Sequence, residues 1–250
     1  MKAYKGIIGL LILTLLAGCG GNRFVKNPVD ILVKEIPRDR VFSIILNDMN
    51  VEGSFFKTYT HQYVIVEEKE AGKPTEEETG WFEVDEHFFN QHANNMGMEI
   101  ASRGEDGKLH KSASPPGYNN YVGNSRYGHW QNSGGHSFWA FYGQYAFMSS
   151  MFRMATYPVR RSYYDDYRGN YYGTGRSYYG PSTGGRSTYG TNSKYTSSTR
   201  PNSRWGRNTS SFKQRVANRT SQSSTSKKTT SSSSRWGSSS SRSRGGGFGK

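Results

Sequence analysis

Apolar and polar positions alternate in short segments through the first half of the chain. Residues 31–36, 41–46 and 98–101 are apolar runs of strand length, each closed by a proline or a turn-prone residue. Residues 58–66 place Tyr and His side chains on one face and Thr, Gln and Val on the other. Because both of its faces are partly apolar, this segment predicts a central strand, and the three shorter runs predict further strands.

One helix is indicated between these strands. Asp85 can accept a hydrogen bond from free N–H groups at a helix start, and Gly97 is a natural helix end, so a helix is expected over residues 86–95. The acidic run 67–78 contains Gly72 and Pro74 and predicts an exposed loop. Strands with one helix predict a small α+β domain.

The pattern changes after residue 115. Residues 118–130 are rich in Gly, Asn and Tyr, which indicates irregular loops anchored by aromatic side chains. Residues 138–155 carry aromatic and Met side chains spaced three and four apart, the stripe of a helix. Three roles stay open for that helix: a second core helix, a helix on the membrane surface, or a face for a partner.

Beyond residue 159 the composition predicts disorder. Residues 167–250 contain one Val, one Ala and no Leu, Ile or Met, so little apolar surface is available to offset the entropy of ordering. Two short repeats stand out. The motif Arg-Ser-Tyr-Tyr begins at Arg161 and again at Arg176, and Ser-Arg-Trp-Gly occupies residues 203–206 and 234–237.

The N-terminus has the features of an export signal. Lys2 and Lys5 precede twelve largely apolar positions, and Leu16-Ala17-Gly18-Cys19 follows. That segment is too short to span a membrane, which needs about 20 apolar residues. It resembles the lipobox of bacterial lipoproteins, in which an aliphatic residue and two small residues precede a cysteine. The resemblance implies cleavage before Cys19 and attachment of a lipid to its thiol.

Composition restricts the chemistry of the mature chain. Cys19 is the single cysteine, so lipidation leaves no thiol for a disulfide, a nucleophile or a metal site. His87 and His92 lie five apart and cannot share a metal from one helix face, so no metal is expected. Glu83, Asp85 and Glu86 fit a helix cap better than an acid–base pair. No catalytic residue and no cofactor is predicted.

Charge divides the chain. All 19 Asp and Glu lie at or before Asp166, whereas 16 of the 33 Lys and Arg lie after it. A basic segment with interleaved aromatic residues is suited to polyanions, and the export signal makes envelope polymers or anionic lipid head groups the expected partners rather than nucleic acid. A solvated spacer without a partner is the alternative. The expected contacts are Arg204, Trp205, Arg207, Lys213, Arg215, Arg219, Lys227, Lys228, Arg235 and Trp236.

Together these patterns predict a bacterial cell-envelope lipoprotein with a non-catalytic structural or interaction role. The expected organisation is a signal peptide (1–18), a lipidated tether (19–28), a small α+β domain with an aromatic helical extension (29–158) and a disordered basic tail (159–250). Gly20 after the cysteine favours the outer membrane where the cell has one. The alternative function is a cell-wall-acting enzyme, or an accessory to one, with its site in the loop from Tyr118 to Trp130.

Overall fold

A five-stranded antiparallel sheet forms the centre of the protein. The computed structural model describes residues 27–53, 56–70 and 72–225. The strands are β1 (Phe42–Glu52), β2 (Thr58–Glu70), β3 (Lys73–Val84), β4 (Glu99–Arg103) and β5 (Leu109–His110), in the order β3-β2-β1-β4-β5. The α+β class is therefore confirmed, and β2 lies inside the sheet, as its two partly apolar faces predicted.

The first helix replaces a predicted strand. Residues 31–36 were expected to be extended, but α1 runs from Pro28 to Glu35. The Asn27 side chain accepts hydrogen bonds from the backbone N–H groups of Val29 and Asp30, and Pro28 stands in the first turn, where its missing N–H is not needed. Val29 and Leu32 then share one buried face. Capping residues outside the apolar run decided the conformation.

The acidic segment 67–78 is also not a loop. It forms the end of β2 and the start of β3, which pair in antiparallel register from Tyr59 opposite Val84 to Glu70 opposite Lys73. Glu76, Glu77 and Glu78 lie exposed on β3, the outer strand of the sheet. Charged side chains on an edge strand discourage pairing with another chain, so the acidic run is compatible with strand structure.

The predicted helix after β3 is present. α2 spans Glu86–His92, and the Asp85 carboxylate caps it by accepting a hydrogen bond from the Phe88 N–H at 2.8 Å. Gly97 adopts φ +81°, and a Cβ there would stand 2.7 Å from the Thr196 hydroxyl. The turn after α2 therefore requires glycine for its conformation and for the close approach of a distant segment.

The aromatic helix predicted over residues 138–155 is wrong. Strands β6 (Gly128–Ser133) and β7 (His136–Phe141) form a hairpin, followed by a 3₁₀ turn (Gly143–Tyr145) and the short α3 (Phe147–Met151). Gly134 and Gly135 both have positive φ in the hairpin turn. Nearly every position of the segment is apolar, so its apolar residues fit the spacing of a helix and the alternation of a strand equally well.

The prediction of disorder from residue 159 is wrong for the part of that segment that the structure describes. It holds α4 (Arg161–Asn170), β8 (Ser182–Thr183), β9 (Arg186–Ser187), α5 (Lys194–Thr199), α6 (Arg204–Arg207) and α7 (Ser210–Thr225). Tyr167, Tyr178, Tyr189, Tyr195 and Trp205 are buried. Tyrosine and tryptophan supply the apolar area that Leu, Ile and Met do not. Residues 226–250 lie outside the described residues.

The sheet thus separates two apolar layers. One face carries Ile44, Leu46 and Met49 against α1, α2 and Trp205. The other face carries Ile45, Val64 and Val66 against a layer built mostly of tyrosine, whose members include Tyr118, Tyr121, Tyr127, Tyr167 and Tyr178. Within the described ranges no helix is long and apolar enough to cross a membrane.

Candidate anion-binding cleft

The segment from Gly190 to Arg200 is fixed to the turn that follows α2. The Thr191 hydroxyl donates to the Ala93 carbonyl at 2.6 Å and accepts from the Met96 N–H at 3.1 Å. The Thr196 hydroxyl donates to the Met96 carbonyl at 3.0 Å. Threonine side chains therefore satisfy the backbone groups of that turn, and the segment is held at a defined position against the sheet layer.

A cleft of about 370 Å³ opens beside this segment. Four basic residues line it, and no Asp or Glu does. Much of the remaining wall consists of small polar residues, Thr191, Asn192, Ser193, Ser197 and Ser203. The four basic residues are Arg186, Lys194, Arg200 and Lys213.

None of these four cations has a carboxylate partner within 4 Å among the residues that the structure describes. Arg200 is oriented by neutral acceptors: its Nε donates to Asn47 Oδ1 at 3.2 Å and its Nη1 to the Thr199 hydroxyl at 3.2 Å. Lys213 Nζ donates to the Gly206 carbonyl at 2.8 Å. Arg200 and Lys213 are thus held by neutral groups rather than by carboxylates.

A second cleft of about 280 Å³ continues from the first. The two share Arg186, Thr191, Asn192 and Ser193. The second adds two tyrosines, Tyr179 and Tyr189, and Tyr179 donates its hydroxyl hydrogen to Asn95 Oδ1 at 2.7 Å. A continuous groove with cations at one end and aromatic and amide groups at the other can accept an extended ligand that carries negative charge.

The described tail residues named from the sequence fall into two groups. Lys213 lines the cleft, whereas Arg207 and Arg215 are exposed and line two other surface depressions. Arg204 is engaged elsewhere: its guanidinium lies 4.5 Å from the centre of the Trp81 ring and 3.6 Å from Glu52. Trp205 also lines the cleft, but it is only 4% exposed and its ring packs on Phe89. Its contact with a polyanion stays a prediction.

Other predicted residues cannot be placed. Arg219 belongs to α7, but the structure describes only its backbone. Cys19, Lys227, Lys228, Arg235 and Trp236 lie outside the described residues. The sequence reasoning missed Arg186, Lys194 and Arg200. The sequence does contain an indication of these three residues, because each is basic and lies in a stretch without acidic residues. Only the fold shows that they line one cleft.

The loop from Tyr118 to Trp130, predicted as the site of the alternative enzyme, is largely packed against the sheet. Tyr118, Tyr121 and Tyr127 are buried. A cleft of about 220 Å³ beside the loop contains Glu105 and Asp106. Glu105 is 2.7 Å from Arg126, and a hydrogen bond from the Lys108 N–H lowers the pKa of Asp106. That hydrogen bond favours the ionised form of Asp106, which is the opposite of what a general acid at neutral pH requires.

Comparisons of the chain with family models, with curated proteins and with solved structures found no match. The arrangement of the described residues is therefore the basis for a functional proposal.

Proposed function

We propose that the protein is a bacterial cell-envelope lipoprotein whose folded body binds anionic envelope polymers or lipid head groups in the cleft of Arg186, Lys194, Arg200 and Lys213. The observation that carries the proposal is four cations around one cleft without a carboxylate among its lining residues. Phosphate and carboxylate groups are the chemistry that such a site attracts, and hydroxyl and amide groups on its walls can hydrogen-bond to them.

The lipid anchor is proposed from the sequence. Lipidation of Cys19 would hold the molecule at a membrane surface, where anionic head groups and envelope polymers are concentrated. Cys19→Ala is expected to abolish lipid labelling and signal processing. Normal processing and membrane retention of that variant would refute the anchor but leave the cleft proposal standing.

Binding is tested on the mature chain with two probes, phosphatidylglycerol vesicles and soluble teichoic acid. Arg186→Gln with Lys194→Gln removes two exposed charges of the cleft. At about 1 kcal/mol per cation near an anionic surface, affinity should fall about 30-fold. Lys34→Gln with Arg38→Gln removes the same charge from exposed positions near α1 and should change affinity much less.

Salt gives the second readout. Raising the salt concentration from 0.1 M to 1 M shortens the screening length from about 10 Å to about 3 Å, so binding should be lost. Binding to teichoic acid alone would assign the partner to a polymer, and binding to vesicles alone to a lipid. Equal weakening by the cleft and control pairs, or binding insensitive to salt, would contradict the proposal.

A further inference from the structure

In the first Ser-Arg-Trp-Gly motif, Ser203 to Gly206, the serine and the glycine contact each other, and the arginine and the tryptophan contact the body of the protein. The Ser203 hydroxyl accepts a hydrogen bond from the Gly206 N–H at 3.0 Å and so caps α6. A Cβ on Gly206 would stand 2.7 Å from that hydroxyl. The serine and the glycine are therefore matched to each other in this turn.

The arginine and the tryptophan are bound by the body of the protein. The Arg204 guanidinium stacks over Trp81 on β3 and faces Glu52 on β1. The Trp205 indole is buried with its centre 6.0 Å from that of Phe89 and 6.2 Å from that of Phe212. The Asp48 carboxylate, itself 7% exposed, accepts from the N–H groups of Arg204 at 2.6 Å and Trp205 at 3.2 Å.

Asp48, Glu52, Trp81 and Phe89 therefore constitute a receptor for this tetrapeptide, which we call the motif receptor. The Asp48 hydrogen bonds and the Phe89 wall of the indole pocket are available to any copy of the motif. Phe212 of α7 completes that pocket for the first copy alone. The same tetrapeptide starts again 31 residues later, at Ser234, within a stretch otherwise made mostly of Ser and Thr. A second ligand of the same sequence is thus carried by the same chain.

We propose that the second motif, Ser234 to Gly237, is an alternative occupant of the motif receptor in the same molecule. Its occupancy would release α6 and α7, and with them Arg204, Arg207, Lys213 and Arg215, from their present positions. The tail would then bind the body in two ways. With the first motif bound, Lys213 completes the basic cleft; with the second motif bound, the segment that carries these four cations becomes a loop.

Chain length favours binding of the first motif. The loop that must close between Thr199 and the motif grows from 4 residues for the first motif to 35 for the second. With closure probability falling as the three-halves power of length, the second motif is at a disadvantage of about 25-fold. The first motif also keeps Phe212 and Val216 against the core. Truncating a buried tryptophan to alanine costs a factor of more than about 100, which exceeds the loop-closure disadvantage. The second motif therefore competes best in a Trp205→Ala chain.

The test is a double-mutant cycle on the mature full-length chain. In Trp205→Ala the second motif should take the receptor, so that Trp236 becomes protected from oxidation by N-bromosuccinimide, mapped by mass spectrometry. Trp236→Ala alone should leave the unfolding midpoint unchanged. The double variant should be less stable than the sum of the single variants allows. Additive effects, or Trp236 equally reactive in wild type and in Trp205→Ala, would overturn the proposal, as would failure of Trp205→Ala to fold.

A peptide of residues 229–241 supplies an independent measurement. Added to the Trp205→Ala, Trp236→Ala chain, it should restore the lost stability or the folded circular dichroism signal, whereas the same peptide with Ala for its tryptophan should not. No restoration would overturn the proposal. Self-association of Trp205→Ala in sedimentation velocity would place the second motif on another molecule and would overturn its assignment to the same chain.

Discussion

At the scale of single residues, the protein uses tyrosine where most domains use leucine or isoleucine. A buried tyrosine contributes ring area but brings a hydroxyl that must be satisfied. Tyr195 donates to the Phe152 carbonyl at 3.2 Å, Tyr178 donates to the Tyr163 carbonyl at 3.0 Å, and the Tyr118 and Tyr189 hydroxyls lie 3.3 Å apart. These hydrogen bonds hold each ring in one orientation, which apolar contacts alone would not do.

One buried carboxyl organises the tyrosine layer. Glu99 is fully buried, and it accepts from the Gly117 N–H at 3.1 Å and from Asn119 Nδ2 at 2.5 Å. Tyr167 in turn donates its hydroxyl hydrogen to Asn119 Oδ1. Burial raises the pKa of Glu99 above its usual range, against the opposing effect of its hydrogen bonds. The loop after residue 115 and helix α4 are thus connected to β4 through one side chain.

Two buried histidines make stability depend on pH. Burial, aided by the proximity of His92, lowers the pKa of His61 to about 3, and burial lowers that of His92 to about 4. In the unfolded chain both titrate near 6.5, so below that pH the unfolded state binds protons that the folded state does not. The stability that the two neutral histidines contribute is fully present above pH 6.5. As the pH falls from there toward 4, each histidine should lower the free energy of unfolding by up to about 1.4 kcal/mol per pH unit.

The measurement is urea unfolding at pH 7.5, 6.0 and 5.0 for the wild type and for His92→Gln. Between pH 6.5 and 5 the two histidines together lower the free energy of unfolding of the wild type. The variant keeps one of them and should show about half of that decrease. The raised pKa of Glu99 acts in the opposite direction, since its contribution is lost as pH rises above about 4.5, but it is common to both proteins. Identical pH profiles would show that His92 does not titrate differently on unfolding.

At the scale of elements, the sequence predicted those whose ends carry a local signal. α2 was found from Asp85 and Gly97, and β2 from its alternation. The strand expected at residues 31–36 is a helix, because Asn27 and Pro28 favour a helix start just before that run. The aromatic segment 138–155 satisfied helical and strand spacing together, so only its pairing with β6 decided between them. Where apolar residues occupy nearly every position, periodicity does not discriminate.

Helix α6 depends on a residue 156 positions away in sequence from its first residue. The Asp48 carboxylate accepts from the N–H groups of Arg204 and Trp205, and also from Met49 N–H at 2.8 Å. Asp48→Ala leaves these groups without an acceptor in a buried place. We expect the free energy of unfolding to fall by about 1–3 kcal/mol, and trypsin to cleave after Arg204 and Arg207 much faster than in the wild type.

Asp39→Ala is the matched control, because Asp39 is exposed. Asp48→Asn keeps one oxygen acceptor and should fall between the wild type and Asp48→Ala. An Asp48→Ala protein as stable and as resistant as the control would mean that the side-chain contacts of Arg204 and Trp205 hold α6 without this carboxylate.

At the scale of the whole molecule, the sequence predicted the sheet-based class but not the extent of the folded part. The count of Leu, Ile and Met after residue 167 suggested that no core was possible. The structure builds that core from Tyr167, Tyr178, Tyr189, Tyr195 and Trp205. For the same reason the candidate cleft was out of reach of sequence reasoning. Arg186 on β9 and Lys213 on α7 lie 27 residues apart, and only the fold brings them to one cleft.

The segment after residue 160 should therefore be required for folding. A mature chain ending at residue 160 lacks the five buried aromatic side chains named above, and would expose the tyrosine layer on one face of the sheet and the Phe89 pocket on the other. At about 1.5–3 kcal/mol for each large buried side chain, the five together contribute about 7.5–15 kcal/mol, which is as large as the 5–15 kcal/mol that stabilises a typical domain. We expect the chain of residues 20–160 to show no cooperative urea transition, and the chain of residues 20–225 to unfold in one transition. A cooperative transition in the shorter chain, with near-UV circular dichroism from fixed aromatic rings, would show instead that the sheet and its hairpin fold without the tyrosine-rich segment.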